Sequence, residues 1–215
     1  MRNTKKHLNA SARRMRIALT STACALAACV LPASALGAND TTQFSVTPGA
    51  LTLTSAPDYP NLGALTLNGQ AQTLTAQMGN FTVADATGSG SGWNVTVVGD
   101  TGAGKSPVFK RYNGTSYGSE ALAANSLTLS STGAGFSALN GTTGTAPTHS
   151  CGSGCFVDAA SPTKLVSAAT NAGMGTYATS GFGAASLSLA APSTVKAIGS
   201  DVYRVDLVTT VNSGP

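Results

Sequence analysis

Apolar and polar side chains alternate most clearly in "YRVDLVTTV", Tyr203–Val211. Its odd-numbered residues fall on one face of an extended chain, and Arg204 and Asp206 fall on the other. A period of two is typical of a strand with one buried face and one face in water. The stretch therefore predicts a half-buried β-strand.

The same alternation recurs upstream, in "ALTLT", "QTLTAQ", "NFTVAD", "WNVTVV", "SLTLS" and "ASLSLA". Runs rich in Gly, Ser and Thr connect these segments, and the longest, from Ser130 to Cys155, is expected to be an insertion loop. A helical period is suggested only in "PTKLVSAATNAG", where we expect a short turn of helix. The pattern predicts an all-β fold: a single antiparallel β-sandwich-like domain with Gly-rich loops.

The amino terminus has a different composition from the rest of the chain. The basic "MRNTKKHLNASARRMR" is followed by "IALTSTACALAACVLPASALGA", which is apolar and rich in small residues. This order is typical of a secretory signal peptide. We predict cleavage after Ala35, or alternatively after Ala38, so that residues 1–35 are removed and residues 36–215 form the domain. The product is expected to be secreted and to act at the cell surface.

Two variants of export stay open. "LAAC", ending at Cys29, is similar to a lipoprotein box, which would anchor the protein by a lipid. Arg13 and Arg14 are compatible with a twin-arginine signal. The segment after Cys29 is apolar, whereas a lipid-attached cysteine usually begins a polar tether, so soluble secretion is favoured.

Removal of the signal changes the charge of the protein. Six of the twelve basic residues precede residue 36 and all eight acidic residues follow it, so the mature chain carries six basic and eight acidic side chains. Its net charge of −2 argues against nucleic acid as a partner, because nucleic-acid binding relies on a basic surface.

"GDTGAGKS", Gly99–Ser106, matches the phosphate-binding loop pattern at every fixed position. Such a loop works at the start of a helix, whose N-terminal N–H groups bind the phosphates. Pro107 and Asn113-Gly114 interrupt the window in which that helix would lie. We therefore predict a Gly-rich loop between strands and no bound nucleotide.

Two cysteines remain in the mature chain, Cys151 and Cys155 in "HSCGSGCF". Export to an oxidising compartment and a flexible Gly-Ser-Gly spacer favour a disulfide between them. His149 is the one histidine after residue 35, and one histidine with two thiols falls short of a four-ligand zinc site. No metal or cofactor is expected.

Catalytic chemistry is not indicated by the sequence. The eight carboxylates are scattered, mostly in predicted turns where Asp caps its own backbone, and His149 has no recognisable partner. We therefore expect a binding protein rather than an enzyme.

Two stretches resemble the WxL domain of Gram-positive bacterial surface proteins. In "NFTVADATGSGSGWNVTV", Asp85, Gly92 and Trp93 match the first motif, with Val95 in place of the leucine. The tail "ASLSLAAPSTVKAIGSDVYRVDLVTTVNSGP" resembles the closing segment, and its matching residues are Pro192, Lys196, Tyr203, Leu207 and Pro215. The second motif is degenerate, with Thr209-Thr210-Val211 in place of Trp-x-Leu.

The resemblance implies non-covalent attachment to the bacterial cell wall through peptidoglycan, or to another surface protein. Trp93 and Val95 are the motif residues that would contact such a partner, although their alternation with Val97 also fits core packing. Tyr112, Tyr117 and Tyr177 are predicted to lie in Gly-rich connections between strands, where exposed aromatic rings are candidates for stacking on sugars. The alternative is a structural or adhesive subunit that pairs through strand edges and does not bind the wall.

Overall fold

The computed structural model describes residues 41–215, of which Ser45–Pro215 form one compact unit. This part of the chain contains fifteen β-strands and no helix. The strands are β1 (Leu51–Ser55), β2 (Gln72–Ala76), β3 (Thr82–Asp85), β4 (Trp93–Gly99), β5 (Lys110–Tyr112), β6 (Tyr117–Ala121), β7 (Leu127–Leu129), β8 (Gly135–Leu139), β9 (Thr148–His149), β10 (Cys155–Phe156), β11 (Thr163–Ala168), β12 (Gly175–Ser180), β13 (Leu187–Ala191), β14 (Val202–Arg204) and β15 (Leu207–Ser213). The prediction of an all-β, sandwich-like fold is confirmed. The predicted signal peptide and its cleavage sites lie in residues 1–40, outside the described residues.

The strands pair antiparallel in four sheets. Their orders are β1-β3-β12-β8, β10-β7-β13-β2, β15-β4-β11-β9 and β14-β5-β6. Many hydrogen-bonded neighbours are far apart in the sequence, as when the last strand, β15, pairs along its whole length with β4. Such long-range pairing is typical of a sandwich, in which the strands of one sheet come from distant parts of the chain.

One hydrophobic core joins three of these sheets. It contains the inward-facing residues of β3, β4, β7, β11 and β13, with Phe81 and Phe109 from adjacent segments. The alternation predicted from the sequence matches the burial along β4, where Trp93, Val95 and Val97 are buried and the residues between them are partly exposed. Period-two patterning therefore identified the core face of this strand.

The stretch Tyr203–Val211 forms two strands rather than one. β14 belongs to the three-stranded sheet and β15 to the sheet that contains β4, and the chain changes sheet at Val205–Asp206. Asp206 is buried, and its backbone N–H donates to the Ser106 carbonyl, so it does not face water as predicted. The break follows from this contact, because the chain leaves the edge of one sheet to pair with β4.

Two local predictions are wrong. The segment expected to form a helical turn contains β11, which lies between β4 and β9, because pairing on both edges overrides a weak helical period. The run Ser130–Cys155 is not one long loop, since it contains β8 and β9. The predicted disulfide between Cys151 and Cys155 is present and closes the turn that leads into β10.

No helix long and apolar enough to cross a membrane occurs in residues 41–215.

Candidate functional site

Trp93 and Val95, the motif residues predicted to contact a partner, face the core. Trp93 is 1% exposed and Val95 is fully buried. The Trp93 indole Nε1–H donates to the Gly173 carbonyl at 3.0 Å, which satisfies its one polar group inside the protein. Neither side chain is accessible to a ligand in this structure, so the core-packing alternative describes them.

The glycine before Trp93 is also required by the fold. Gly92 has a φ of +76°, and a Cβ at this position would lie 2.3 Å from the Ala168 carbonyl oxygen, at the end of β11. Asp85, which also belongs to the first motif, is buried and accepts hydrogen bonds from the N–H and hydroxyl of Thr87. The residues of the first motif therefore form a tight turn and a buried indole.

The two motif-like stretches are neighbours in one sheet. β15 pairs with β4 so that Thr209 lies opposite Val97 and Val211 lies opposite Val95. Beyond the pairing, the Asn94 amide donates to the Gly214 carbonyl at 2.7 Å. The sequence did not indicate this contact, because more than a hundred residues separate the partners.

Tyr177 does not lie in a Gly-rich connection as predicted. It is a buried residue of β12, and its hydroxyl donates to the Gly144 carbonyl at 2.6 Å. The phenol thereby ties the β8–β9 connection to the sheet, so this tyrosine is structural.

Tyr112 and Tyr117 are brought together by the structure. They lie on strands and not in Gly-rich connections as predicted, because they end β5 and begin β6. They face each other across this hairpin, and their ring centroids are 4.9 Å apart. Arg204 of β14 lies over the Tyr112 ring, with its guanidinium carbon 4.7 Å from the centroid. Both rings are partly exposed. These three residues, which we call the tyrosine–arginine cluster, combine aromatic faces with a cation at the surface.

Asp206 lies beneath the tyrosine–arginine cluster. Its carboxylate accepts hydrogen bonds from the Tyr117 hydroxyl, from Arg204 Nη2 at 2.6 Å and from the Ser106 N–H at 3.0 Å. Burial alone would raise the pKa of Asp206, but these three donors outweigh it and the pKa is lowered. Burial and the Asp206 charge together raise the pKa of Tyr117, which stays a neutral donor. The cluster is therefore held in one arrangement by an ionised aspartate.

An open cleft of about 1170 Å³ lies beside this cluster, and Arg204 and Asp206 form part of its polar wall. Leu67 and Val202, at 46% and 55% exposure, are large exposed apolar residues in its lining. The rest of the apolar lining includes Leu62, Leu65, Leu74, Leu187, Leu189 and Leu207. A concave, mostly apolar surface with a few charged groups is the usual form of a ligand site.

Tyr59 is a cleft residue that the sequence did not single out. Its hydroxyl is buried, approaches Thr209, and makes no hydrogen bond of normal geometry in the described part of the chain. Burial raises the pKa of Tyr59 to about 12, and the contact with Thr209 only partly opposes this. Thr209 is the residue that stands at the tryptophan position of the degenerate second motif. The aromatic ring next to this position therefore belongs to Tyr59, from another segment of the chain.

The loop Gly99–Ser106 runs along the same cleft. A strand, β5, follows it instead of a helix, as the interrupting residues predicted. The Ser106 N–H, which a phosphate loop would direct at its ligand, donates to Asp206, and Lys105 Nζ lies 3.8 Å from the same carboxylate. Two of the groups that would bind phosphate in a nucleotide-binding loop are thus directed at an acidic side chain.

Comparison of the chain with protein-family profiles, curated proteins and solved structures finds no match. The resemblance to the WxL domain accordingly stays a prediction, carried by the residues quoted for it.

His149 is the centre of a second aromatic group, away from the cleft. Its ring stacks on Phe136 at 4.4 Å and meets the edge of Phe182 at 5.5 Å. Both cysteines near it are joined in the disulfide, and residues 41–215 contain no group of three or more His, Cys, Asp or Glu side chains placed to hold a metal ion. The histidine therefore acts as a packing residue in this structure.

Acidification is expected to destabilise the domain through His149. Burial lowers the pKa of His149, with a smaller opposing effect from the Gly135 carbonyl, so the fold favours the neutral ring. The unfolded chain, with an ordinary pKa of about 6.5, then takes up the proton first, and stability falls as the pH drops below that value. We expect the urea midpoint of the wild type to fall between about pH 7.5 and 5 and that of His149→Phe to fall less. If the urea midpoints of the two proteins fall equally with pH, His149 is not the residue responsible.

Proposed function

We propose that this domain attaches non-covalently to the bacterial cell wall, with peptidoglycan as the first candidate, and acts by binding rather than catalysis. The observation that carries the proposal is an open apolar cleft whose wall includes Arg204, the cation that packs on Tyr112 in the tyrosine–arginine cluster. On this proposal the protein is exported by its amino-terminal signal and functions at the cell surface.

The chemistry of the cleft suits a glycan. Sugar rings have apolar C–H faces, which pack on aromatic and aliphatic side chains, and hydroxyl edges, which exchange hydrogen bonds with charged groups. Tyr203 supplies an aromatic ring in the lining, and Tyr112 packs against the lining residue Arg204. Arg204 supplies a donor held by its contacts with Asp206. A volume of about 1170 Å³ exceeds what one sugar ring needs, so a polymer segment is the better-fitting ligand.

The sequence resemblance supports the same function but places the contact differently. It pointed to Trp93 and Val95, which are buried, whereas Lys196, Tyr203 and Leu207 of the closing segment line the cleft. On the proposed reading, the first motif stabilises the domain, and residues of the closing segment contribute to the binding surface.

A second candidate function is assembly with another surface protein through a strand edge. β15 is an edge strand of seven residues and contains no charged side chain. Long uncharged edges are open to pairing with another strand, since most proteins protect them with charges or proline. This reading needs no contact between the cleft and the wall.

Sedimentation with insoluble peptidoglycan sacculi tests the proposal. We expect the wild type to pellet with the sacculi, and Tyr112→Ala to lose about 1–3 kcal/mol of binding, about 5- to 150-fold in affinity, because it removes the ring that supports Arg204 at the cleft wall and that would extend the stacking surface beside the cleft. Phe156→Ala is the matched control, because Phe156 is an aromatic residue 47% exposed on β10, in a different sheet.

Circular dichroism and the thermal midpoint establish that both variants are folded. If Tyr112→Ala and Phe156→Ala lose the same amount of binding, the binding site is not at the cleft. If the wild type stays in the supernatant, direct wall attachment is refuted, and assembly through β15 becomes the better explanation.

A further inference from the structure

The basic residues of the domain are concentrated at the cleft. Residues 41–215 contain six Lys and Arg residues, and three of these, Lys105, Lys196 and Arg204, line the cleft. Lys110 and Arg111 lie on β5, which pairs with the strand that carries Arg204. The sixth, Lys164, lies on β11 in another sheet.

The carboxylates that pair with three of these cations are less exposed than the cations. The side chains of Lys105, Arg111 and Arg204 are 42–45% exposed, whereas their ion-pair partners Asp206, Asp201 and Glu120 are 8%, 15% and 23% exposed. Lys196 is exposed as well. The lining as a whole is neutral, because it also contains Asp100, Asp201 and Asp206, and Asp100 is partly buried and accepts the Gly102 N–H. A ligand approaching from solvent therefore meets the more exposed positive charges first.

Charge complementarity indicates what the cleft binds. A second copy offers no separate acidic surface among residues 41–215. Asp85 and Asp158 are buried, Glu120 and Asp201 pair with Arg111, and Asp100 and Asp206 lie in the cleft itself, which leaves Asp58 as a single exposed acid. Residues 1–40 carry six basic residues and one acidic residue, so that segment has the same sign as the cleft rim. An anionic occupant of the cleft would therefore come from outside the chain.

We propose that the cleft binds an anionic wall glycopolymer whose repeating units carry phosphodiester groups, with the sugar or polyol part on the apolar wall and the phosphates beside Lys105, Lys196 and Arg204. This rests on the proposed attachment to the wall and replaces peptidoglycan itself with this polymer as the direct contact. A phosphodiester keeps its charge at every physiological pH and offers oxygens that suit ammonium and guanidinium donors. A repeating polymer lets several weak contacts act together.

The test compares two preparations of sacculi. One is untreated and keeps its phosphodiester polymers, and the other is treated with aqueous hydrofluoric acid, which hydrolyses phosphodiesters and leaves the peptidoglycan network. Wild type, the double variant Lys105→Gln/Lys196→Gln and the control Lys164→Gln are sedimented with each, at about 50 mM and about 500 mM salt. Thermal midpoints confirm that all three proteins are folded.

We expect the wild type and Lys164→Gln to bind untreated sacculi at low salt and to lose binding at high salt or after acid treatment. The double variant should bind untreated sacculi about 2- to 25-fold more weakly, because each exposed ionic contact contributes about 0.2–1 kcal/mol.

Each other outcome is decisive. Equal binding of the wild type to both preparations overturns the phosphodiester inference and leaves wall attachment standing. Absence of binding to either preparation refutes wall attachment and this inference together. If the wild type binds only untreated sacculi but the double variant binds them as tightly as Lys164→Gln does, the phosphates are not bound at the cleft and the inference fails.

Discussion

Replacing Trp93 with alanine is expected to reduce the free energy of unfolding by about 3–5 kcal/mol, a large part of the total stability of an ordinary domain. Trp93 is the largest of the fully buried side chains in the described part of the chain, and it lies where β4 pairs with both β11 and β15. Removing it leaves a cavity, and the Gly173 carbonyl loses its donor. Gly173 packs so closely on the indole that a Cβ there would lie 2.6 Å from Nε1.

Urea unfolding followed by far-UV circular dichroism measures this loss. Trp93→Phe is the matched control, since it keeps an aromatic ring and removes the N–H donor, and we expect it to cost about half as much as Trp93→Ala. A loss below about 1 kcal/mol for the alanine variant would contradict the core assignment. Reduced wall binding by Trp93→Ala would not locate the site at Trp93, because a destabilised domain binds less whatever its contacts.

The strands and part of the core were predictable because they depend on local patterns. Alternation of apolar side chains identified the buried face of β4, and the same alternation placed Leu207, Thr209 and Val211 on the more buried face of β15. The disulfide followed from two cysteines separated by a flexible spacer. In these cases the signal lies within a few residues of the feature that it predicts.

The candidate site was not predictable, because it is built from contacts between distant segments. Tyr117 and Asp206 are 89 positions apart, and no pattern around either residue indicates the other. Asp206 was expected to face water, since it alternates with apolar neighbours, but the change of sheet turns it inward. Sequence drew attention to Tyr112 and Tyr117 as candidates, and only the pairing of β5 with β6 and β14 brings them together with Arg204.

The second large effect is expected at Asp206. Asp206→Ala should cost about 2–4 kcal/mol of stability, because it leaves the Ser106 N–H, the Tyr117 hydroxyl and Arg204 without their common acceptor. The exposed guanidinium recovers water contacts, which keeps the loss below that for a fully buried pair. Asp206→Asn keeps an acceptor of similar shape and loses the charge, so its cost should be smaller.

The pH dependence distinguishes the charge of Asp206 from its shape. Hydrogen bonds lower the pKa of Asp206 although burial alone would raise it. Its carboxylate therefore contributes its full stabilisation above the unfolded-state pKa of about 3.9. This contribution is lost as the pH falls through the lower pKa of the folded state. The stability difference between wild type and Asp206→Asn, measured by urea unfolding, should therefore be constant from about pH 7 to 5 and shrink below about pH 4. A difference that stays constant to low pH would mean that the ionised carboxylate does not hold the cluster. In that case Arg204 would not be fixed over Tyr112 by charge, and the cleft wall would depend on packing alone.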